Sequence, residues 1–137
     1  MSRRSERGSV SVELVLLTPV LVGLMVLTVA FGRLQAAKAD IEAASRAAAR
    51  AASMERTAST ARAAGQRAAV RELTASGYRC EALTVSIGTG SFTADSAVTA
   101  SVSCTVRLSD VAGMGIPSSH TLVASFTEPI DRYRGTR

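Results

Sequence analysis

The stretch RRSERGSVSVELVLLTPVLVGLMVLTVAFGR, residues 3–33, decides how this chain of 137 residues is organised. No charged residue lies between Leu14 and Gly32, and a helix over those residues would be about 28 Å long at about 1.5 Å per residue. That length is close to the roughly 30 Å hydrocarbon thickness of a bilayer. The stretch therefore predicts a transmembrane helix over residues 9–33, preceded by a short basic leader over residues 1–8.

Flanking charge predicts the orientation of this helix. Arg3, Arg4 and Arg7 precede it, which by the positive-inside tendency places the N-terminus in the cytoplasm and the C-terminal part outside. A cleaved secretory signal is the alternative, because basic residues before an apolar region also describe one, and the small residues of AKA at 37–39 suit a cleavage site. The apolar region is longer than the usual 7–15 residues of a signal core, which favours retention in the membrane.

The composition restricts the function classes. If the N-terminal third forms the membrane and stalk segment, the remainder can fold only as one small domain, which argues against a large enzyme. The net charge is +5, but the basic residues form no run and aromatic residues make up 4% of the chain, which is not typical of nucleic-acid binding. The one histidine, His120, is predicted to be a polar loop residue before a strand. We expect no catalytic residue, metal, cofactor, small-molecule substrate or nucleic acid.

Residues 34–76 form an alanine-rich region with high helix propensity. Its first part carries an apolar seam with alternating spacings of three and four residues. The members of the seam are Leu34, Ala37, Ile41, Ala44, Ala48 and Ala51. Such small side chains allow close packing, either between subunits or against the protein's own small domain. A second helical pattern runs from about Thr57 to Ala75 and ends at Ser76–Gly77, and the arginines of both helices are predicted to lie on solvated faces.

Period-two patterning replaces the helical pattern in residues 77–137, which are predicted to form a small β-rich extracytoplasmic domain. The clearest strand pattern is AVTASVSCTVRLS, in which the apolar positions are Val98, Ala100, Val102, Cys104, Val106 and Leu108. Shorter patterns occur at 83–87 and 122–126. The predicted fold class is therefore α+β, with a long N-terminal helix, a second helix and a three-stranded, largely antiparallel sheet. Cys80 and Cys104 suit a disulfide in an oxidising compartment, with two free thiols as the alternative.

Glu13 adjoins the apolar run, where a carboxylate near hydrocarbon costs on the order of 3 kcal/mol and usually has a partner or a task. The segment RGSVSVE places Gly8 five residues before it. This spacing resembles the processing site of type IV pilin-like proteins, which a prepilin peptidase cuts after the glycine. The wider pattern, GSVSVELVLLTPVLVGLM followed by FGRLQAAKADIEAASRAAARAAS, is similar to the TadE-like family of the tight-adherence (Tad/Flp) pilus system. The ending TEPIDRYR looks like those of actinobacterial members.

The resemblance implies a pilin-like fold and a structural role as a pseudopilin (minor pilin) or assembly component of a Tad-type pilus or secretion system that serves adhesion. It further implies cleavage between Gly8 and Ser9 by a prepilin peptidase, and other pilus subunits as partners in the cell membrane or fibre. Cleavage would free an amine at Ser9 that could pair with Glu13, within one helix or between subunits. The alternative is that Glu13 rests among headgroups, where the helix dipole favours it. A secreted or membrane-anchored extracytoplasmic binding domain unrelated to pili is the second class of function.

Overall fold

The computed structural model describes residues 6–77, 79–107 and 119–131. Leu108, most of the basic leader and the last residues of TEPIDRYR lie outside these ranges. The elements are helix α1 (Glu6–Ser53), helix α2 (Ala58–Ala75) and strands β1 (Ala82–Gly88), β2 (Ala97–Arg107) and β3 (Ser119–Pro129). The strands form one sheet in the order β1-β2-β3, and both pairs are antiparallel. The predicted α+β fold class is confirmed.

Helix α1 is a single element of 48 residues, about 72 Å long at about 1.5 Å per residue. The predicted transmembrane helix and the first part of the alanine-rich region are therefore continuous. Pro19 lies inside the helix, where it removes one backbone donor. Alanine makes up ten of the 21 residues from Arg33 to Ser53, and its high helix propensity carries α1 out to Ser53.

Helix α2 begins and ends as its sequence predicts. Thr57 is the N-cap in extended conformation, and its side chain accepts a hydrogen bond from the backbone N–H of Thr60 at 3.3 Å. At the other end the N–H of Ser76 donates to the carbonyl of Glu72 at 3.1 Å. Gly77 follows with φ of +76°, the left-handed conformation that terminates helices. The two helices run antiparallel because only a short turn, residues 54–57, connects them.

The core lies between the helices and one face of the sheet. On β2 the predicted alternation is confirmed, since its inward side chains are at most 2% exposed while the outward ones are half-buried. The buried set is Val98, Ala100, Val102, Cys104 and Val106. The far part of α1 contacts α2, β2 and β3. This face of the sheet is covered by helices, and the opposite face presents mainly serine and threonine.

The prediction that His120 is a loop residue was wrong. His120 is the second residue of β3, exposed, and it lies opposite Val106 in the ladder. The reason is the length of β2, whose pairing with β3 continues to Arg107 and Ser119 and so draws His120 into the sheet.

The predicted disulfide between Cys80 and Cys104 is confirmed, with a Cα–Cα distance of 5.3 Å. Cys104 lies on the buried face of the middle strand, and Cys80 precedes β1. The bond therefore fastens the segment after α2 to the centre of the sheet. Closing a loop with a sequence separation of 24 contributes about 3 kcal/mol in the chain-entropy model.

The connection between β1 and β2 contains a buried aromatic ring, that of Phe92. Phe92 is 8% exposed although its φ is 49°, a left-handed conformation that bulky side chains rarely adopt. Next to it, buried Thr89 accepts a hydrogen bond from the Arg62 guanidinium of α2 at 3.1 Å. Ile130, after β3, donates its N–H to the carbonyl of Ser96 at 2.8 Å. These contacts fix the loop to α2 and to the end of β3.

Candidate functional site

The apolar half of α1 carries most of the exposed large apolar side chains among the described residues. Fourteen large apolar side chains between Val12 and Phe31 are exposed, and none of the apolar window is buried. Leaving such side chains in water costs about 1.5 kcal/mol or more each, so the total is on the order of 20 kcal/mol. That exceeds the whole stability of a typical small domain, about 5–15 kcal/mol. Covering this surface with an apolar phase such as a bilayer is therefore strongly favourable, and the helix is long and apolar enough to be a candidate membrane span.

The hydroxyl groups within this segment suit an apolar environment. Thr18 donates to the carbonyl of Leu14 at 2.7 Å, and Thr28 donates to the carbonyl of Leu24 at 2.8 Å. Each hydroxyl is thus satisfied inside the helix and needs no water. The bond from Thr18 lies beside Pro19, where the helix ladder is interrupted. The segment can accordingly enter lipid without an unpaired polar side chain between Leu14 and Phe31.

Glu13 lies at the N-terminal end of this apolar surface. Its side chain is exposed and forms no ion pair with any described residue. Gly8 and Ser9 belong to the same helix, and Ser9 precedes Glu13 by four residues, about one turn. A cation one turn before Glu13, or on a neighbouring helix, would lie within reach of its carboxylate.

The structure places the alanine seam against the chain's own domain. Ala37, Ile41, Ala44 and Ala48 are at most 3% exposed, and Leu34 packs partly buried against the same core. Ala51 is half-buried at the end of α1. The spacing left open whether the seam packs between subunits or against the protein's own domain. In this structure it packs against the protein's own domain.

A close approach between the two helices lies at Gly65 of α2. A Cβ on Gly65 would lie 3.1 Å from the carbonyl oxygen of Ala48 and 2.8 Å from Cδ1 of Ile87. Gly65 therefore lets α2 fit between α1 and β1. A glycine within an otherwise alanine-rich helix was the one available signal for this contact.

These features define a class of protein: a small disulfide-linked α+β domain carried on a helix whose uncovered half is long and apolar enough to cross a membrane. Comparison with known families adds that residues 8–50 match the family described as TadE-like protein. No curated protein and no solved structure matches the chain.

The match covers the candidate span and nearly all of α1, and it leaves α2 and the sheet unmatched. The match begins at Gly8 and includes Glu13, so it falls on the same segment whose sequence resembles the TadE-like family. A TadE-like segment next to a candidate membrane span points to a protein associated with Tad pili.

Proposed function

We propose that this protein is a pseudopilin or assembly component of a Tad-type pilus, of the actinobacterial type that its C-terminal sequence resembles. In this proposal α1 crosses the cell membrane with its N-terminus in the cytoplasm, and the disulfide-linked domain lies outside. The observation that carries the proposal is the coincidence of two features on one segment. The TadE-like match over residues 8–50 includes the apolar surface of α1 that no other described part of the chain covers.

The mechanism we propose is packing between α1 helices of neighbouring subunits. Because the alanine seam is occupied by the chain's own core, the surface left on α1 for other subunits is the apolar half between Val12 and Phe31. In the membrane this half contacts lipid, and in an assembly it contacts the same half of other subunits. The outer domain then serves adhesion or assembly from the membrane surface.

Glu13 has a specific task in this mechanism. A prepilin peptidase would cut between Gly8 and Ser9, and the new ammonium group would pair with Glu13 of a neighbouring subunit in a low-dielectric setting. Removing one partner of a buried ion pair costs about 3–5 kcal/mol, because the other charge stays buried alone. A carboxylate that only rests among headgroups contributes little, because Glu13 lies seven residues beyond Glu6 in α1, past the first turn in which the helix dipole acts.

The Glu13→Gln substitution separates these two roles. Membrane insertion should be normal, since the apolar run Leu14–Gly32 is unchanged, but recovery of cross-linked subunits or surface pili should fall by a factor of about 100 or more. Glu42→Gln is the matched control: its carboxylate lies on the same helix, 3.9 Å from Arg46 in an exposed pair. Such pairs contribute little, so the control should assemble normally. Normal assembly of Glu13→Gln would reject the pairing.

Processing is tested by N-terminal analysis of the protein from a host with its own prepilin peptidase. The expected chain begins at Ser9, and the loss of three arginines and one glutamate changes the net charge from +5 to +3, since 5 − 3 + 1 = 3. A chain that begins at Asp40 would instead support a secretory signal. An uncut chain in the membrane would remove the proposed amine.

A further inference from the structure

A second surface, far from the apolar half of α1, combines exposed apolar side chains with exposed arginines. It is an open groove along the outer side of the α1–α2 hairpin. We define the outer groove by Ala51, Met54, Ala64, Arg67, Val70 and Arg71. Met54 and Val70 are 57% and 48% exposed, and they are two of the few large apolar side chains exposed beyond Phe31 in the described chain.

The arginines of the outer groove have no charged partner among the described side chains. Arg67 and Arg71 are exposed and form no ion pair or hydrogen bond with another described side chain. They are four residues apart on α2, and like charges at that spacing destabilise a helix. On α1, by contrast, Glu42 and Arg46 are four residues apart, carry opposite charges and form an ion pair. The arginine pair of α2 therefore lacks a structural reason within the chain.

Position and charge restrict what can cover the outer groove. Ala51 lies 19 residues beyond Gly32 on the same helix, about 28 Å past the apolar run, whereas a headgroup layer is only about 5–8 Å thick. Lipid is thus out of reach. A second copy is disfavoured, because the chain carries +5 and a symmetric contact through this groove would bring four arginines together.

We propose that the outer groove binds an acidic amphipathic helix of a different protein. The apolar side chains of such a helix would cover Met54 and Val70, and its carboxylates would pair with Arg67 and Arg71. Glu55 also lines the groove, and with the two arginines it leaves the lining a net charge of +1 (2 − 1 = 1), which still favours an acidic partner. This interface is separate from the packing proposed for α1 in the membrane, so either proposal can be rejected while the other stands.

The test uses the full chain in lipid nanodiscs and three fluorescein-labelled 18-residue peptides, with empty nanodiscs as background. The first peptide carries leucines at spacings of three and four and glutamates elsewhere. The second replaces its glutamates by lysines, and the third replaces its leucines by serines. Fluorescence anisotropy should show the first peptide binding at least tenfold tighter than either of the others.

Two charge-reversal variants locate the binding. Arg67→Glu with Arg71→Glu should weaken the first peptide at least tenfold and give affinity for the lysine peptide, a gain that misfolding cannot produce. Lys38→Glu with Arg79→Glu is the matched control, since both residues are exposed outside the groove and the net charge falls equally, from +5 to +1 (5 − 4 = 1). The control should change the affinity less than twofold.

Five results would overturn the proposal. The first is that both double variants weaken binding of the first peptide equally, and the second is that the serine peptide binds as tightly as the first. The third is that a single-stranded DNA 20-mer binds as tightly as the first peptide and also requires the two arginines. The fourth is that the chain associates with itself through the two arginines and does not bind the peptide. The fifth is an unchanged affinity of the first peptide for Met54→Ser with Val70→Ser, which would identify a general anion surface. The circular dichroism of every variant should match that of the parent chain.

Discussion

The contact at Gly65 gives the sharpest prediction about the fold, through the substitution Gly65→Ala. In a solvent-exposed helix this change stabilises a protein by about 1 kcal/mol, because alanine has the higher helix propensity. At residue 65 the new methyl group would lie 3.1 Å from the carbonyl oxygen of Ala48, and 2.8 Å and 3.1 Å from Cδ1 and Cγ1 of Ile87. Because the Ala48 carbonyl is part of the α1 backbone, it can give way only if the helices move apart.

The expected sign follows from the two magnitudes. Inserting a methyl group into a packed contact costs about 1–3 kcal/mol, which exceeds the gain in propensity. Gly65→Ala should therefore lower the free energy of unfolding by about 1 kcal/mol. Ile87→Val, which removes Cδ1, should cost about 0.5–1.5 kcal/mol alone but less in the Gly65→Ala background, because it relieves the shorter of the contacts.

Pulse proteolysis across a urea gradient, on the full chain in detergent micelles, measures these differences. Gly32→Ala is the matched control, since no atom lies within 4 Å of its added Cβ and the residue is also helical. The control should not lower the stability of the outer domain, and should raise it by at most about 1 kcal/mol, the gain in helix propensity. If Gly65→Ala stabilised the domain, or if Ile87→Val cost the same in both backgrounds, the close approach of α2 to α1 and β1 would be refuted.

The remaining predictions concern the disulfide, the cap of α2 and the β1–β2 connection. Exported protein should be lighter than its reduced form by two hydrogens, and replacing Cys80 and Cys104 by serine should lower the free energy of unfolding by about 3 kcal/mol; alkylation of both thiols without reductant would contradict this. Thr57→Ala should cost about 1 kcal/mol in the same urea assay, through loss of the side-chain acceptor at the helix start. Phe92→Ala should cost about 3–5 kcal/mol. Phe92→Gly should cost no more than alanine, because glycine relieves the left-handed backbone; a clearly larger loss would show that the backbone conformation there is unstrained.

The elements that the sequence predicted well are those whose signal is local and repeated. The alternation along β2 predicted its buried face, because each inward residue of a strand lies two positions from the next. The bounds of α2 followed from Thr57 and from Ser76–Gly77, whose side chain and backbone preferences act within one turn. The length of the apolar run predicted the uncovered half of α1.

The contacts that the sequence did not predict depend on which surfaces meet. The seam of α1 was identified as a packing face, but periodicity says nothing of the occupant, and the structure fills it with the chain's own core. Phe92 was missed because a single aromatic residue in a glycine- and serine-containing connection has no periodic signal. His120 was assigned to a loop because the end of β3 is fixed by its partner strand, which local composition does not show. Arg62 was predicted to be solvated, and nothing in its sequence neighbourhood indicates the bond to Thr89.

The unbroken course of α1 joins the candidate membrane span and the outer domain in one mechanical body. No proline lies in α1 beyond Pro19, and from Gly32 to Ser53 the helix rises about 30 Å while its side chains are built into the domain core. A tilt of about 10° at the membrane surface would then swing the far end of the domain sideways by about 5 Å over that helix length. Rotation of the helix within the bilayer would turn the sheet by the same angle. Any force or displacement applied to α1 beyond Pro19 is thus delivered to the outer domain without a joint to absorb it.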